Sequence, residues 1–453
     1  MSRKLFGTDG IRGRANVYPM TGDVAFTLGR AVTAHFQNTK SARKPTIIIG
    51  KDTRLSCYML EQAFSSGVCA QGGIAILTGP LPTPGVAFAT QSMRADAGVM
   101  ISASHNAYFD NGIKLFDPNG NKLADDVEAH LEKMILNPEL IPNMLDDSLG
   151  RARRLDEVVG RYIVKVKSAF DENLSLDGMR LVVDGANGAA YKVAPMIFEE
   201  LGAEVISMGN RPDGTNINKD VGALHPNKCA AAVIKYRADL GICLDGDADR
   251  LVICDDKGNI VHGDQLLGIL AKYLNEIGAL GDRPEVVGTV MSNLGLENYI
   301  KKLGINFFRS KVGDRYILER MYETDAKFGG EPSGHIIFKD LATTGDGILA
   351  ALKVIEALKY FKLSLSDLLK DITLYPQVLE NVIVTEKKDL SQITTISKLK
   401  DDWEKKLGDK GRILIRYSGT ENLCRVMVEG ADKDMVKGCA KELAKVIDKE
   451  IGA

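Results

Sequence analysis

Ser104-His105-Asn106 places a hydroxyl beside an imidazole, the pairing that equips a serine to accept or pass on a group. A Ser-His step alone is more often a polar turn. The chain has no G-x-S-x-G elbow, which argues against an acyl-transfer hydrolase. Asp245-Gly246-Asp247-Ala248-Asp249-Arg250 makes a stronger demand. Three carboxylates at alternate positions after an apolar run repel one another unless a cation neutralises them, and oxygen-only ligands suit a hard ion such as Mg²⁺. An EF-hand loop would require Gly at Arg250 and Glu at Asp256. Arg250 beside the carboxylates is a natural phosphate partner. In Gly329-Gly330-Glu331-Pro332-Ser333-Gly334-His335, the Glu331, Ser333 and His335 side chains offer acceptors and donors to sugar hydroxyls. Arg416-Tyr417-Ser418-Gly419-Thr420-Glu421-Asn422, with Arg425 beyond, gathers cations, hydroxyls and open backbone of the kind that cradles phosphate. No Walker A or strand-borne G-x-G-x-x-G pattern points to ATP or a dinucleotide.

These loops sit in a repeat. An apolar strand at 46–50 leads through a Gly/Asp turn to a helix ending near 72–73 and a second strand at 74–78. The order recurs from 181–184 to 204–207 and from 286–290 to 305–308. Such spacing predicts parallel pairs with right-handed crossovers. Ala95-Asp96-Ala97-Gly98-Val99-Met100-Ile101 resembles Ala238-Asp239-Leu240-Gly241-Ile242-Cys243-Leu244, each a strand that enters a polar loop and returns at 112–116 or 251–254. The third copy, 325–329 returning at 335–338, is looser. Helical periodicity closes the units, clearest at 264–274 and 346–358. The expected fold is α/β: three repeated α/β/α domains with mixed sheets (1–155, 156–256, 257–370) and a C-terminal α+β domain (371–453), around a central cleft. In the last domain, strands are expected at 382–385, 411–417 and 424–429, with helices near 396–407 and 433–447.

Composition narrows the partners. The 453 residues carry 58 Lys and Arg against 60 Asp and Glu, a net charge of −2, which excludes a general electrostatic nucleic-acid binder. No apolar run reaches the ~18 residues of a membrane span, and residues 1–8 lack the apolar core of a signal peptide. Seven cysteines, odd in number and never C-x-x-C, read as reduced thiols of a cytoplasmic protein. None sits with a basic neighbour in a polar loop, as a catalytic thiol would.

At the four loops the chain resembles the α-D-phosphohexomutase family over nearly its whole length. The match rests on Ser102-Ala103-Ser104-His105-Asn106, the Asp245–Arg250 segment, Gly330-Glu331-Pro332-Ser333-Gly334-His335 and Arg416-Tyr417-Ser418-Gly419-Thr420-Glu421, in that order. Phe6-Gly7-Thr8-Asp9-Gly10-Ile11-Arg12-Gly13 and Pro332 look most like its bacterial branch acting on glucosamine phosphates. The resemblance implies a phosphoserine at Ser104, with Mg²⁺ held by Ser104, Asp245, Asp247 and Asp249. Glucosamine 6-phosphate and glucosamine 1-phosphate would interconvert through glucosamine 1,6-bisphosphate, supplying UDP-N-acetylglucosamine synthesis. Lys114 would carry the proton, while Arg12, His105 and Arg250 stabilise the transferring phosphoryl. Glu331, Ser333 and His335 would bind sugar, and Arg416, Ser418, Gly419, Thr420 and Arg425 the other phosphate. The expected partner is a phosphosugar, with no nucleic acid or membrane, and a homodimer as the assembly to test. Ala107 and Asn422 stand where the family usually has Pro, so a freer serine loop and phosphate loop are expected. Glucose or mannose phosphate as substrate, a Mg²⁺-dependent phosphatase and a sugar-phosphate-binding protein are the competing readings.

Overall fold

The structure, a computed structural model, describes residues 5–7, 9–37, 43–418 and 422–453. Its first sheet has strands β1 (Phe6–Gly7), β2 (Gly10–Arg14), β3 (Thr46–Lys51), β4 (Ile74–Pro80), β5 (Ala97–Ile101), β6 (Asp110–Phe116) and β7 (Arg151–Arg154). The second has β8 (Arg180–Asp184), β9 (Glu204–Met208), β10 (Leu240–Leu244), β11 (Leu251–Cys254) and β12 (Ile260–Val261). The third has β13 (Glu285–Thr289), β14 (Asn306–Ser310), β15 (Phe328–Gly330) and β16 (Ile336–Phe338). Their orders, β1-β2-β6-β5-β3-β4-β7, β12-β11-β10-β8-β9 and β14-β13-β15-β16, contain one shared motif. In each, the first strand pairs in parallel with the second and third, and the third pairs antiparallel with the fourth. The parallel pairs require crossovers, supplied by the helices Leu55–Ala70, Val193–Glu200 and Leu294–Lys302. The antiparallel step puts a loop at the same sheet end of each unit, and those three loops carry Ser104, the aspartates and Glu331. Strand β12 pairs with β11, so the second sheet runs past residue 256.

Strands β3, β5, β8 and β10 are apolar along almost their whole length because helices cover both faces of the sheets. One core joins the three units, with Ile48 and Phe116 of the first, Phe198 and Leu244 of the second, and Leu270 and Phe328 of the third in a single cluster. The helix Gly347–Phe361 lies within it and is buried on nearly every side, as its almost continuous apolar sequence requires. Asp346 caps that helix, accepting from Ile348 N and Leu349 N at 3.0 Å each, and also accepts from Tyr162 OH at 2.9 Å.

The C-terminal unit has the antiparallel order β17 (Gln377–Ile383), β19 (Leu423–Gly430), β18 (Gly411–Tyr417). It is packed by the helices Thr394–Leu407 and Lys433–Ile451 around its own core. Its first strand starts earlier than the expected 382 and its last helix runs past 447. Arg412 docks it on the third unit, donating to Val290 O at 2.9 Å and Ser292 O at 3.1 Å. No helix among the described residues is long and apolar enough to cross a membrane.

Candidate active site

Ser104 lies just beyond β5 in a left-handed backbone conformation, with φ near 51°. A non-glycine residue there carries a strain on the order of 1–3 kcal/mol that its surroundings must hold. They do so through buried charge. Ser104 N donates to Ser102 Oγ at 2.9 Å, and Ser102 Oγ donates to Asp52 Oδ2 at 2.6 Å. Arg54, wholly buried, pairs with Asp52 at 2.9 Å and spreads its guanidinium over the loop carbonyls of Ser104 and Asn106 at 2.9 Å and Ala107 at 2.5 Å. Asn218, from the second unit, donates to Ser104 O at 2.9 Å and Asn106 O at 3.0 Å. The serine loop is therefore held by partners outside it, the Ala107 carbonyl among the groups they grip.

The aspartate loop rises from β10 to meet it. Ser104 Oγ donates to Asp245 Oδ2 at 2.6 Å. Contact this close requires glycine at 246, since a Cβ there would lie 2.5 Å from the Ser104 carbonyl oxygen. One carboxylate oxygen from each of Asp245, Asp247 and Asp249 lies within 4.8 Å of the others, and all three residues are buried. Burial, then Asp249 and Asp247, push the Asp245 carboxyl well above the ordinary range. Burial opposes ionisation of Asp249 too, but Lys114, His335 and Arg250 hold its carboxyl well below that range. Lys114, on β6, donates to Asp247 Oδ2 at 2.8 Å and Asp249 Oδ2 at 3.3 Å. Thr83 Oγ1 donates to the same Asp247 oxygen at 2.6 Å. Buried Asp247 Oδ1 and Asp249 Oδ1 have no hydrogen-bond donor. Two orphaned carboxylate oxygens in a three-carboxylate cage fit a hard cation.

His105 Nδ1 lies 3.3 Å from Ser104 Oγ. Burial, then the charges of Arg250 and Arg12, lower its pKa to about 4, so at neutral pH it contributes a hydrogen bond and no charge. A cavity of about 510 Å³ opens beside these groups, lined by Arg12, Arg250, Glu331, His335, Lys122 and Arg315 among others. That volume suits a small phosphorylated ligand. Glu331 accepts from Gly313 N at 3.0 Å and from Ser333 Oγ at 3.4 Å, the latter at the exposed rim. His335 is set deeper, between Asp249 at 3.8 Å and Asp314 at 3.4 Å, and accepts from Gly345 N at 3.0 Å. Asp9 pairs with Arg12 and Lys122, and Lys122 also reaches Asp314 at 2.8 Å.

Arg416 and Arg425 stand directly opposite each other on β18 and β19. Ser418 is buried beside them, its N–H donating to Leu423 O at 2.8 Å. Gly419 and Thr420 lie outside the described residues. None of the described residues lining the cavity comes from this C-terminal unit. Sequence reasoning missed Asp52, Arg54, Asn218 and Thr83. The one local signal was charged Asp52 and Arg54 in the turn after apolar β3, the position in this repeat where a loop faces the cleft.

Four family models cover the chain in order. These are the phosphoglucomutase/phosphomannomutase α/β/α domains I (residues 3–141), II (160–258) and III (262–375), then the C-terminal domain (379–446). The chain belongs to this family. As a phosphohexomutase it is 50% identical over 451 residues to a phosphoglucosamine mutase of Geotalea daltonii, with 99% of each chain covered. Phosphoglucosamine mutases of Geobacter metallireducens (51%, 99% of each chain) and Nitratidesulfovibrio vulgaris (49%, 100% of each chain) are similarly related. A phosphoglucomutase/phosphomannomutase family protein of Burkholderia thailandensis shares the fold, with TM-score 0.81 at 22% identity over 98% of this chain and 99% of that one. So does an Aspergillus fumigatus N-acetylphosphoglucosamine mutase solved with GlcNAc-6P and magnesium (TM-score 0.70, 18% identity, 99% and 96%).

Proposed function

We propose that this phosphohexomutase interconverts glucosamine 6-phosphate and glucosamine 1-phosphate through a phosphoserine at Ser104 and glucosamine 1,6-bisphosphate. The observation that carries the reading is the 2.6 Å contact of Ser104 Oγ with Asp245 inside a cage of buried carboxylates, beside a cavity rimmed with cations. Relatives of the same length named phosphoglucosamine mutase support the amino-sugar substrate. Asp245, Asp247, Asp249 and Ser104 would hold Mg²⁺, which when bound supplies positive charge against the phosphoryl oxygens.

Phosphoryl transfer requires alignment and charge stabilisation more than covalent help. In this reading the Ser104 O–P bond breaks as a sugar hydroxyl takes the phosphoryl group, and Lys114 carries the proton between the two oxygens. Arg12 and Arg250 meet the transferring group with charge, and His105 with a hydrogen bond from a neutral ring. The bisphosphate then turns within the cavity and returns its other phosphate to Ser104. Glu331, Ser333 and His335 are assigned to the sugar, His335 acting from behind with its Nδ1 turned to Asp249. Arg416, Ser418, Gly419, Thr420 and Arg425 are assigned to the idle phosphate. The facing Arg416 and Arg425 fit that role, because two guanidinium groups at one sheet position can each offer forked N–H donors to a phosphate.

A coupled assay with catalytic bisphosphate, run in parallel on the 6-phosphates of glucosamine, glucose and mannose, tests the reading. Isomerisation fastest with glucosamine 6-phosphate is expected. Preference for glucose or mannose would reassign the substrate, stoichiometric release of inorganic phosphate would make the protein a phosphatase, and binding without turnover would make it a carrier.

A further inference from the structure

Three thiols meet on the face of the second sheet turned away from the large core. Ile242 and Leu244 of β10 and Ile253 of β11 belong to that core. The alternate positions, Cys243 on β10 and Cys254 on β11, therefore point to the opposite side, where they pack with Cys229 of the helix Asn227–Tyr236. Their Sγ atoms all lie within 4.8 Å of one another. All three residues are fully buried and none is in a disulfide. Gly241 makes the meeting possible. It faces Cys254 across the strand pair, and a Cβ there would sit 2.7 Å from Cys229 Sγ and displace it.

We propose that Cys229, Cys243 and Cys254 form a second metal site, separate from the aspartate loop, that takes a soft d¹⁰ cation such as Zn²⁺. Zinc–sulfur bonds of about 2.3 Å place three bound sulfurs roughly 3.8–4.0 Å apart, so the trio needs to close by less than about 1 Å. Thiolates select soft ions while carboxylates keep Mg²⁺, so the two sites do not compete. Binding breaks three S–H bonds, forms three metal–sulfur bonds and releases the protons to solvent, with no electron transferred. Cys229 is the third residue of its helix, where the dipole favours the negative charge of a thiolate. The helix start lies nearest to solvent, its Pro226 carbonyl 3.9 Å from Cys254 Sγ and its preceding residues Leu224 and His225 exposed. Cys243 comes two residues before Asp245 and Cys254 four after Arg250, so a bound cation would brace the strand pair that presents the aspartates.

The test uses full-length, reduced, metal-stripped protein titrated with Cd²⁺ in excess Mg²⁺, reading the ultraviolet thiolate-to-cadmium charge-transfer band. A band saturating at one equivalent, with proton release and displacement by Zn²⁺, is expected. Cys229→Ala and Cys243→Ala should each weaken binding by more than about tenfold, and Cys69→Ala, outside the trio, should not. Absence of a one-equivalent band in the folded parent overturns the proposal whatever the variants do. A band that survives the Cys229 and Cys243 substitutions overturns it as well, leaving the trio as small apolar packing.

Discussion

The three repeat units carry their loops at equivalent places, yet the first two loops and the third are built on opposite plans. Ser104 and the aspartates are buried and bound to each other across a unit boundary, with Arg54, Asn218, Lys114 and Thr83 arriving from other elements. In the third loop Glu331 is half-buried, Ser333 is exposed, and their side-chain hydrogen bonds stay within their own unit, while Gly334 and His335 at its end reach Leu251 and Asp249 of the second. In the proposed reaction the same strand–loop–strand frame serves two needs. Groups that pass a phosphoryl must hold their positions before substrate arrives, whereas groups that read a sugar must stay open to it.

The largest effect that could break this contrast is at Asp247. Asp247→Asn removes one charge at nearly constant volume, and kcat should fall about a hundredfold or more with the fold retained. Near-parental activity in the presence of a chelator would mean that the aspartates are structural. Arg54→Ala should come next. It strands Asp52 as a buried, unpaired carboxylate, a loss of about 3–5 kcal/mol in urea unfolding. Arg54→Lys should recover only part, because an ammonium cannot span the three loop carbonyls. A shift within about 0.5 kcal/mol for Arg54→Ala would show that the serine loop does not depend on this clamp.

Glu331→Gln probes the open loop and should act differently. It should raise KM about tenfold with a smaller change in kcat, the pattern of lost ground-state binding. An equal fall in kcat and kcat/KM would put Glu331 in the transition state and erase the distinction between the loops. The smallest effect on turnover is expected at Asp264, a buried carboxylate of the third unit. Asp264 Oδ2 accepts from Asn293 N at 2.8 Å and Oδ1 has no partner. Burial raises its pKa from 3.8 to about 7. The native state therefore holds this proton more tightly than the unfolded chain does. Its share of stability is full below the ordinary carboxyl value and is lost as pH rises through about 7. Asp264→Asn should flatten the decline in unfolding free energy between about pH 5 and about pH 8. An unchanged slope would mean that the Asp264 carboxyl gives up its proton before this range.

Sequence periodicity and the four motifs were enough to expect the repeated strand order, the antiparallel return strands and the loops that carry Ser104, Asp245 and Glu331. Those features depend on local pattern, with period two in strands and Gly or Asp at turns. Asn218 left no signal, and Arg54 only its charge in the turn after β3, because their role is to touch carbonyls 50 or more positions away, and backbone acceptors leave no trace in residue type. Ala107 gave no sign of the clamp for the same reason. The loop's restraint comes from a guanidinium on another element and not from a proline within it. His335 reads as a sugar ligand from its motif, while its position between two carboxylates appears only when β16 is paired with β15.

In the proposed reaction Ser104 holds the phosphate and gives it to the sugar. Protein phosphorylated with labelled phosphate, peptide-mapped, then mixed with glucosamine 6-phosphate for a single turnover decides it. The label is expected to start on Ser104, leave it, and appear in glucosamine 1,6-bisphosphate and glucosamine 1-phosphate without inorganic phosphate. Label confined to Ser102, or released as inorganic phosphate, would contradict it.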